Sequence, residues 1–174
     1  MLITLNYFNT FMNDYESSTN VDALKTNCIE GAETIISEFL GYPLNKTNYV
    51  LKFKNIYNDF IVLPAYINAV NELKIFDRGI SEEDIIINKI YLTIKDFWNY
   101  RGIDVYVDFY GGFDSNSLPP IIKITICEIA TLLYLQTNKN IGMTGISAPD
   151  GMGRTFINYT NFDKYLKKLV GYKR

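Results

Sequence analysis

The chain has no histidine, so the commonest general base and metal ligand is missing from it. It has only two cysteines, Cys28 and Cys127. Both fall inside helical patterns in no metal-ligand spacing, which predicts small buried apolar residues in a reducing compartment. Charge of one sign is also lacking: 17 basic residues stand against 19 acidic ones, a formal net charge of -2. A protein whose main task is to grip nucleic acid through phosphates needs a clear basic excess. The opening residues Met1 to Asn6 have no basic segment and no sustained apolar run, so no signal peptide is expected and a soluble cytoplasmic product is. What is abundant is aromatic surface: 15% of the chain, with 14 tyrosines. Tyrosine favours interfaces and half-buried strands alike.

The chain is organised around Tyr110 to Gln136, where a β-type run ends in the pair Gly111-Gly112, a polar turn follows and an apolar helix begins. Pro119 and Pro120 suit the first helical turn, whose N–H groups have no intrahelical partner. From Ile121 to Leu135 only Lys123, Thr125, Glu128 and Thr131 interrupt the apolar segment, and they share no face. A helix apolar nearly all round is a buried one, and this segment is short and interrupted for a membrane span.

In chain order, Leu2 to Met12 fits a short helix or a strand. Thr19 or Asn20 caps a helix carrying Val21, Leu24, Cys28, Ala32, Ile35, Ile36, Phe39 and Leu40 on one face, closed by Gly41 and Pro43. Asp22, Lys25, Glu30, Glu33 and Glu38 read as its solvated face. Residues 49–54 and 60–63 read as two strands joined by a hairpin loop at 55–59. The run 64–79 continues as a strand with a turn at Arg78-Gly79, and Ile86, Ile90, Leu92 and Ile94 share one parity. Ile103 to Tyr110 alternates cleanly as a half-buried antiparallel strand. Asp104 and Asp108 share its outer face; without a histidine or a third acid in motif spacing, they read as solvated strand carboxylates before a catalytic pair. Gly151-Met152-Gly153-Arg154 matches neither phosphate-loop pattern and precedes a β-type run, 155–159, instead of opening a helix. Asn161 caps a last helix with Lys164, Lys167 and Lys168 outward. No catalytic, cofactor or metal site is expected.

The fold class expected is therefore α+β: a helical bundle, with helices near 20–40, 119–136 and 161–170, and a small antiparallel sheet inserted at about 49–110. The chain reads as one domain, with a flexible loop and β-type arm at 138–160.

The order of these elements carries a resemblance. Phe39-Leu40-Gly41-Tyr42-Pro43, the run Val105 to Asp114, Leu118-Pro119-Pro120 with its long helix, the loop around Ile146 and Gly151 to Arg154, and a final Tyr172-Lys173-Arg174 together resemble the head-to-tail connector family of tailed bacteriophages. The resemblance implies a ring of twelve copies under the portal protein, with a tail-side neck or tail protein below and genomic DNA passing through the lumen without sequence-specific binding. It implies a place in the virion neck, after assembly in the host cytoplasm. It assigns portal contact to Lys167, Lys168, Tyr172, Lys173 and Arg174, and subunit contact to a loop with Gly142, Met143, Gly145, Gly151, Met152, Gly153 and Arg154. Two other readings stay open: a tail-terminator or tail-tube protein, suggested by the β-rich middle, and an enzyme using the sheet carboxylates.

Overall fold

The structure is a computed structural model that describes residues 1–95, 102–138, 145–146, 154–155 and 162–173. The fold is α+β, and the chain forms two compact units. Residues 1–40 and 118–173 make a helical unit, while residues 41–117 make a β unit.

In the helical unit, α1 (Leu5–Met12) resolves the ambiguity of the first residues. Thr4 caps it, its side chain accepting the Tyr7 N–H at 3.3 Å, and Asn13 closes it in the left-handed region at φ 53°. The long helix α2 (Thr19–Leu40) is capped one residue earlier than expected. The Ser18 hydroxyl, not Thr19 or Asn20, accepts the Val21 N–H at 3.3 Å. Gly41 ends the helix at φ 80°. The central helix α3 (Pro120–Asn138) is buried as its composition demands: Ile122, Ile126, Cys127, Ile129, Ala130 and Tyr134 are almost inaccessible. It is long and apolar enough to cross a membrane by composition, yet this face is covered by protein. Its main partner is α2, whose Cys28, Ile29, Ala32 and Ile36 are buried.

That face of α2 corrects one expectation. Lys25 and Glu33 are buried, not solvated, because positions 25, 29, 33 and 36 recur at helical spacing on the inward stripe. The Lys25 ammonium lies 3.5 Å from the Asp14 carboxylate, donates to the carbonyls of Asp14 (3.3 Å) and Glu16 (2.9 Å), and stands over the Tyr134 ring. Glu33 accepts the backbone N–H groups of Leu2 at 2.5 Å and Ile3 at 3.3 Å.

The β unit contains β1 (Thr47–Ile56), β2 (Phe60–Val62), β3 (Ile67–Ile75), β4 (Arg78–Gly79), β5 (Ile85–Asn88), β6 (Tyr91–Ile94) and β7 (Ile103–Gly111). One antiparallel sheet has the order β1-β7-β3-β4 and the other β2-β6-β5. The two share a core of Ile61, Leu63, Leu92 and Ile94 against Leu73, Ile75, Ile103, Val105, Val107 and Phe109.

β7 behaves as its alternation predicts, with Ile103, Val105, Val107 and Phe109 inward. The hairpin expected between residues 49–54 and 60–63 does not form. β1 pairs with β7, as Thr47 opposite Gly111 and Phe53 opposite Val105, and β2 pairs with β6. A bulge at Asn55, φ 53°, bends the end of β1 away, and the Asp104 carboxylate fixes it by accepting the Asn55 N–H at 3.1 Å. The turn placed at Arg78-Gly79 lies at Phe76-Asp77, both at positive φ, the geometry of a tight hairpin. Residues 85–94 are likewise a hairpin that reverses after Lys89 (φ 57°). Ile86 therefore faces outward, while Ile90, Leu92 and Ile94 are buried.

Gly112 joins the sheet to the segment that leads toward α3. At φ 84°, a Cβ there would sit 2.5 Å from the Asn45 carbonyl oxygen, so the position tolerates only glycine. Two residues on, the Asp114 carboxylate accepts the N–H groups of Asn116 (3.0 Å) and Ser117 (2.8 Å), and Leu118 leads into α3. These bonds hold the Asp114 carboxyl below the usual carboxylate range.

Candidate functional site

The C-terminal helical segment is docked on the helical unit. α4 (Asp163–Leu166) passes directly into a 3-10 helix, Lys167–Tyr172. Winding runs past residue 170, where the helix was expected to end, through Gly171 to Tyr172, and Lys173 leaves it extended. Leu166 and Leu169 are buried, in line with contacts to α2 and α3. Of the residues assigned to portal contact, Lys167 is exposed, whereas Lys168 donates to both Glu128 carboxylate oxygens at 2.8 Å. Tyr172 is half-buried, and the Lys173 ammonium stands 4.9 Å from the centre of the Phe39 ring. Arg174 lies outside the described residues, as does the cap expected at Asn161.

Of the subunit-contact loop, Gly145 and Arg154 are described. They belong to a small ladder of β8 (Gly145–Ile146) and β9 (Arg154–Thr155), with Gly145 opposite Thr155 and Ile146 opposite Arg154. Gly142, Met143, Gly151, Met152 and Gly153 lie outside the described residues.

Groups with chemical potential are tied up in structure. Asp104 and Asp108, four strand residues apart and so separated by roughly 13 Å, do not face each other. Asp104 holds the β1 bulge, and Asp108 accepts the Asn71 amide at 3.0 Å. Burial pushes both thiols up, Cys127 to about 12, which removes thiolate chemistry near neutral pH. Among the described residues no three histidine, cysteine or acidic side chains gather as a metal site.

An open cleft of about 580 Å³ lies on the outer side of β1, β7 and β3, with Lys52, Lys54, Lys74, Phe76, Asp104 and Tyr106 in its wall. Lys52, Tyr106 and Lys74 form one row across the three strands. Lys74 is paired with Glu72 at 2.8 Å and stands over the Tyr106 ring, so part of the charge is already answered locally.

Sequence reasoning missed a different surface. The outer side of the β2-β6-β5 sheet carries Phe60, Thr93 and Ile86 in one row and Val62, Tyr91 and Asn88 in the next, with no charged side chain. Phe60, Val62, Ile86 and Tyr91 are all exposed, and the Phe60 and Tyr91 rings meet edge to face. The sheet is thus apolar on both sides, which is unusual for a surface left to water. The signal was the run Ile85-Ile86-Ile87, once its turn is placed correctly.

Solved structures share this architecture. A chain from the neck of an empty gene transfer agent (GTA) particle, computed with C6 symmetry, superposes with a TM-score of 0.58 over 99% of this chain and 89% of that chain, at 13% identity. The fold is that of a GTA neck chain. A chain from the virion of a native GTA particle superposes at 0.57 over 96% of this chain and 88% of that one, at 14% identity. A third, from the neck of a native GTA particle computed with C12 symmetry, gives 0.51 over 88% and 84%, also at 14% identity. No protein-family model and no curated protein matches the chain.

Proposed function

We propose that the chain is a structural subunit of the neck of a tailed, phage-like particle, acting as a head-to-tail connector without catalytic activity. The observation that carries this reading is the superposition over 99% of this chain and 89% of a GTA neck chain, which leaves almost none of this chain without a counterpart. The C6 and C12 symmetry named for those necks supports a ring of copies here. On this reading the ring sits under the portal protein, receives a tail-side protein below, and surrounds a channel through which genomic DNA passes.

The physical character of the chain suits that task. Ring subunits need apolar and aromatic surface to bury against neighbours, and the exposed side of the β2-β6-β5 sheet supplies it. A net charge of -2 favours sliding of DNA over adhesion to it. Portal contact is assigned to Lys167, Tyr172, Lys173 and Arg174, with Lys168 contributing when it leaves Glu128. Subunit contact includes the loop from Gly142 to Arg154.

Electron microscopy of the purified chain, alone and with its portal protein, tests the proposal. Rings with an open centre that cap the portal are expected. A chain that stays monomeric beside the portal and binds none of it would overturn the reading.

A further inference from the structure

We infer that the C-terminal 3-10 helix, Lys167–Tyr172, has a second winding, an α-helix that releases Tyr172 to the portal protein and takes in Val170 in its place. The two windings follow from this chain alone; the portal protein as partner rests on the neck reading above.

The winding in the structure is uncommon. A 3-10 run rarely exceeds about three or four residues, because its hydrogen bonds are poorly aligned and its side chains eclipse; longer runs mark hinges or strain. Here six residues are wound so, directly after one turn of α-helix. With about three residues per turn, Leu166, Leu169 and Tyr172 fall in one line. That line faces the protein: Leu166 and Leu169 are buried and Tyr172 is half-buried. Val170 lies off the line by about 120°. It is 59% exposed.

The same residues carry an α pattern. At about 100° per residue, Leu169 and Val170 flank Leu166 at about 60° and 40° on either side, and Tyr172 turns about 120° away. Leu166, Leu169 and Val170 then form the apolar stripe of an ordinary amphipathic helix. Both windings bury the two leucines; they differ in whether Tyr172 or Val170 completes the set. Gly171, between the two, is exposed and not left-handed, so the backbone does not block the exchange. Lys168, two residues from Leu166, turns by only about 40°, so its bonds to Glu128 need not break. Lys173, now over the Phe39 ring, comes into line with Leu166, where its stem lies along the stripe.

In the free chain the larger apolar area of Tyr172 favours the 3-10 winding, and the better hydrogen bonds of the α winding oppose it. A partner that receives the Tyr172 ring removes the first contribution and leaves the second, so docking and rewinding become one event. Rewinding turns the end of the segment by about a third of a turn and shortens it by about 3 Å.

A crystal structure of the Tyr172→Ser chain tests the windings without any partner. Residues 167–172 should be α-helical with Val170 covered; a 3-10 run with Val170 still exposed overturns the inference. Affinity for the portal protein tests their use. Val170→Lys alters a side chain that is exposed in the present winding, so the fold should hold, verified by unchanged thermal melting. The α winding would then bury an ammonium. Portal affinity should fall about tenfold or more, because only the rewound fraction is competent to bind. Wild-type affinity in Val170→Lys overturns the inference. Electron microscopy of the wild-type ring on the portal separates rewinding from direct contact. Val170 packed on its own helices is expected, and Val170 against the portal overturns the inference. A wild-type chain that binds no portal overturns the neck reading and the release of Tyr172 to it, while Tyr172→Ser still decides the two windings.

Discussion

The ammonium of Lys25 has no exposed surface and lies 3.5 Å from the carboxylate of Asp14, which retains partial access to water. The pair fastens the segment after α1 to the middle of α2. The burial is asymmetric, and so are the consequences of removing either partner. Asp14→Ala leaves a buried cation with two carbonyl oxygens and the Tyr134 ring but no anion, a defect of about 3–5 kcal/mol for a buried charge that has lost its counter-ion. Lys25→Met keeps the apolar stem and removes the charge, leaving Asp14 to water and two carbonyls short of a donor, about 1–3 kcal/mol. Urea denaturation should rank Asp14→Ala as the more damaging, and adding it to Lys25→Met should cost little more. Equal or reversed single-variant effects would show that the ion pair is not what holds the segment.

Glu33 predicts a local effect. Its carboxylate serves the amides of Leu2 and Ile3, so Glu33→Ala should lower stability by about 1.5–3 kcal/mol, the range for hydrogen bonds to a buried charged group. Glu33→Gln retains a carbonyl acceptor and should lose less. Amide exchange at Leu2 and Ile3 should quicken in both variants before any change appears in α3. Unaltered exchange at those two amides would rule out the tether.

Gly112→Ala should be the most damaging single methyl that can be added to the β unit. Left-handed backbone costs an L-residue about 1–2 kcal/mol. The new Cβ would also stand 2.5 Å from the Asn45 carbonyl oxygen and 2.8 Å from that of Leu44. A total above about 3 kcal/mol is expected by thermal melting. Gly79→Ala, where a Cβ meets nothing within 4 Å, is the control and should change little.

Cys127 predicts a pH dependence. Burial raises its thiol to about 12 in the folded chain, against about 8.5 for an unfolded cysteine. The folded state therefore holds this proton more tightly. The associated stability is complete below about pH 8.5 and is lost as pH rises toward 12. Stability of wild type should fall more steeply over that window than that of Cys127→Ala. Thiol reagents at pH 8 should modify Cys127 only as fast as the chain unfolds. Rapid labelling of the native protein would contradict the burial.

Periodicity exposed the elements whose partners matter least to their form. α2, α3 and β7 each carry a complete local pattern, and each folds as that pattern requires. Strand pairing was less legible: nothing near Tyr49 or Phe53 announces β7 as their partner, because register is fixed by residues more than fifty positions away. The turn after Lys89 escaped because a lysine, not glycine or asparagine, takes the left-handed conformation. Lys25 and Glu33 were misread through their charge, although their spacing with Cys28, Ile29 and Ile36 already put them on the buried stripe. Of the candidate surfaces, the lysines near the C-terminus were visible as a cluster. The binding of Lys168 to Glu128, forty residues away, was not.

The pairing of β1 with β7 also sets an order of events on the ribosome. β1 emerges first of all the strands, yet its neighbour in the sheet is β7, the last strand of the β unit. Until residue 111 has left the exit tunnel, ten residues of strand carry an unmatched row of backbone groups, while the β5–β6 hairpin closes at once. α2 waits longer still, since α3 follows the whole β unit. The nascent chain thus spends much of its synthesis with an open strand edge and a bare helix stripe. Slow decoding within residues 41–117 would prolong that interval, and crowding of neighbouring polysomes would make it the hazardous stage of this protein's life.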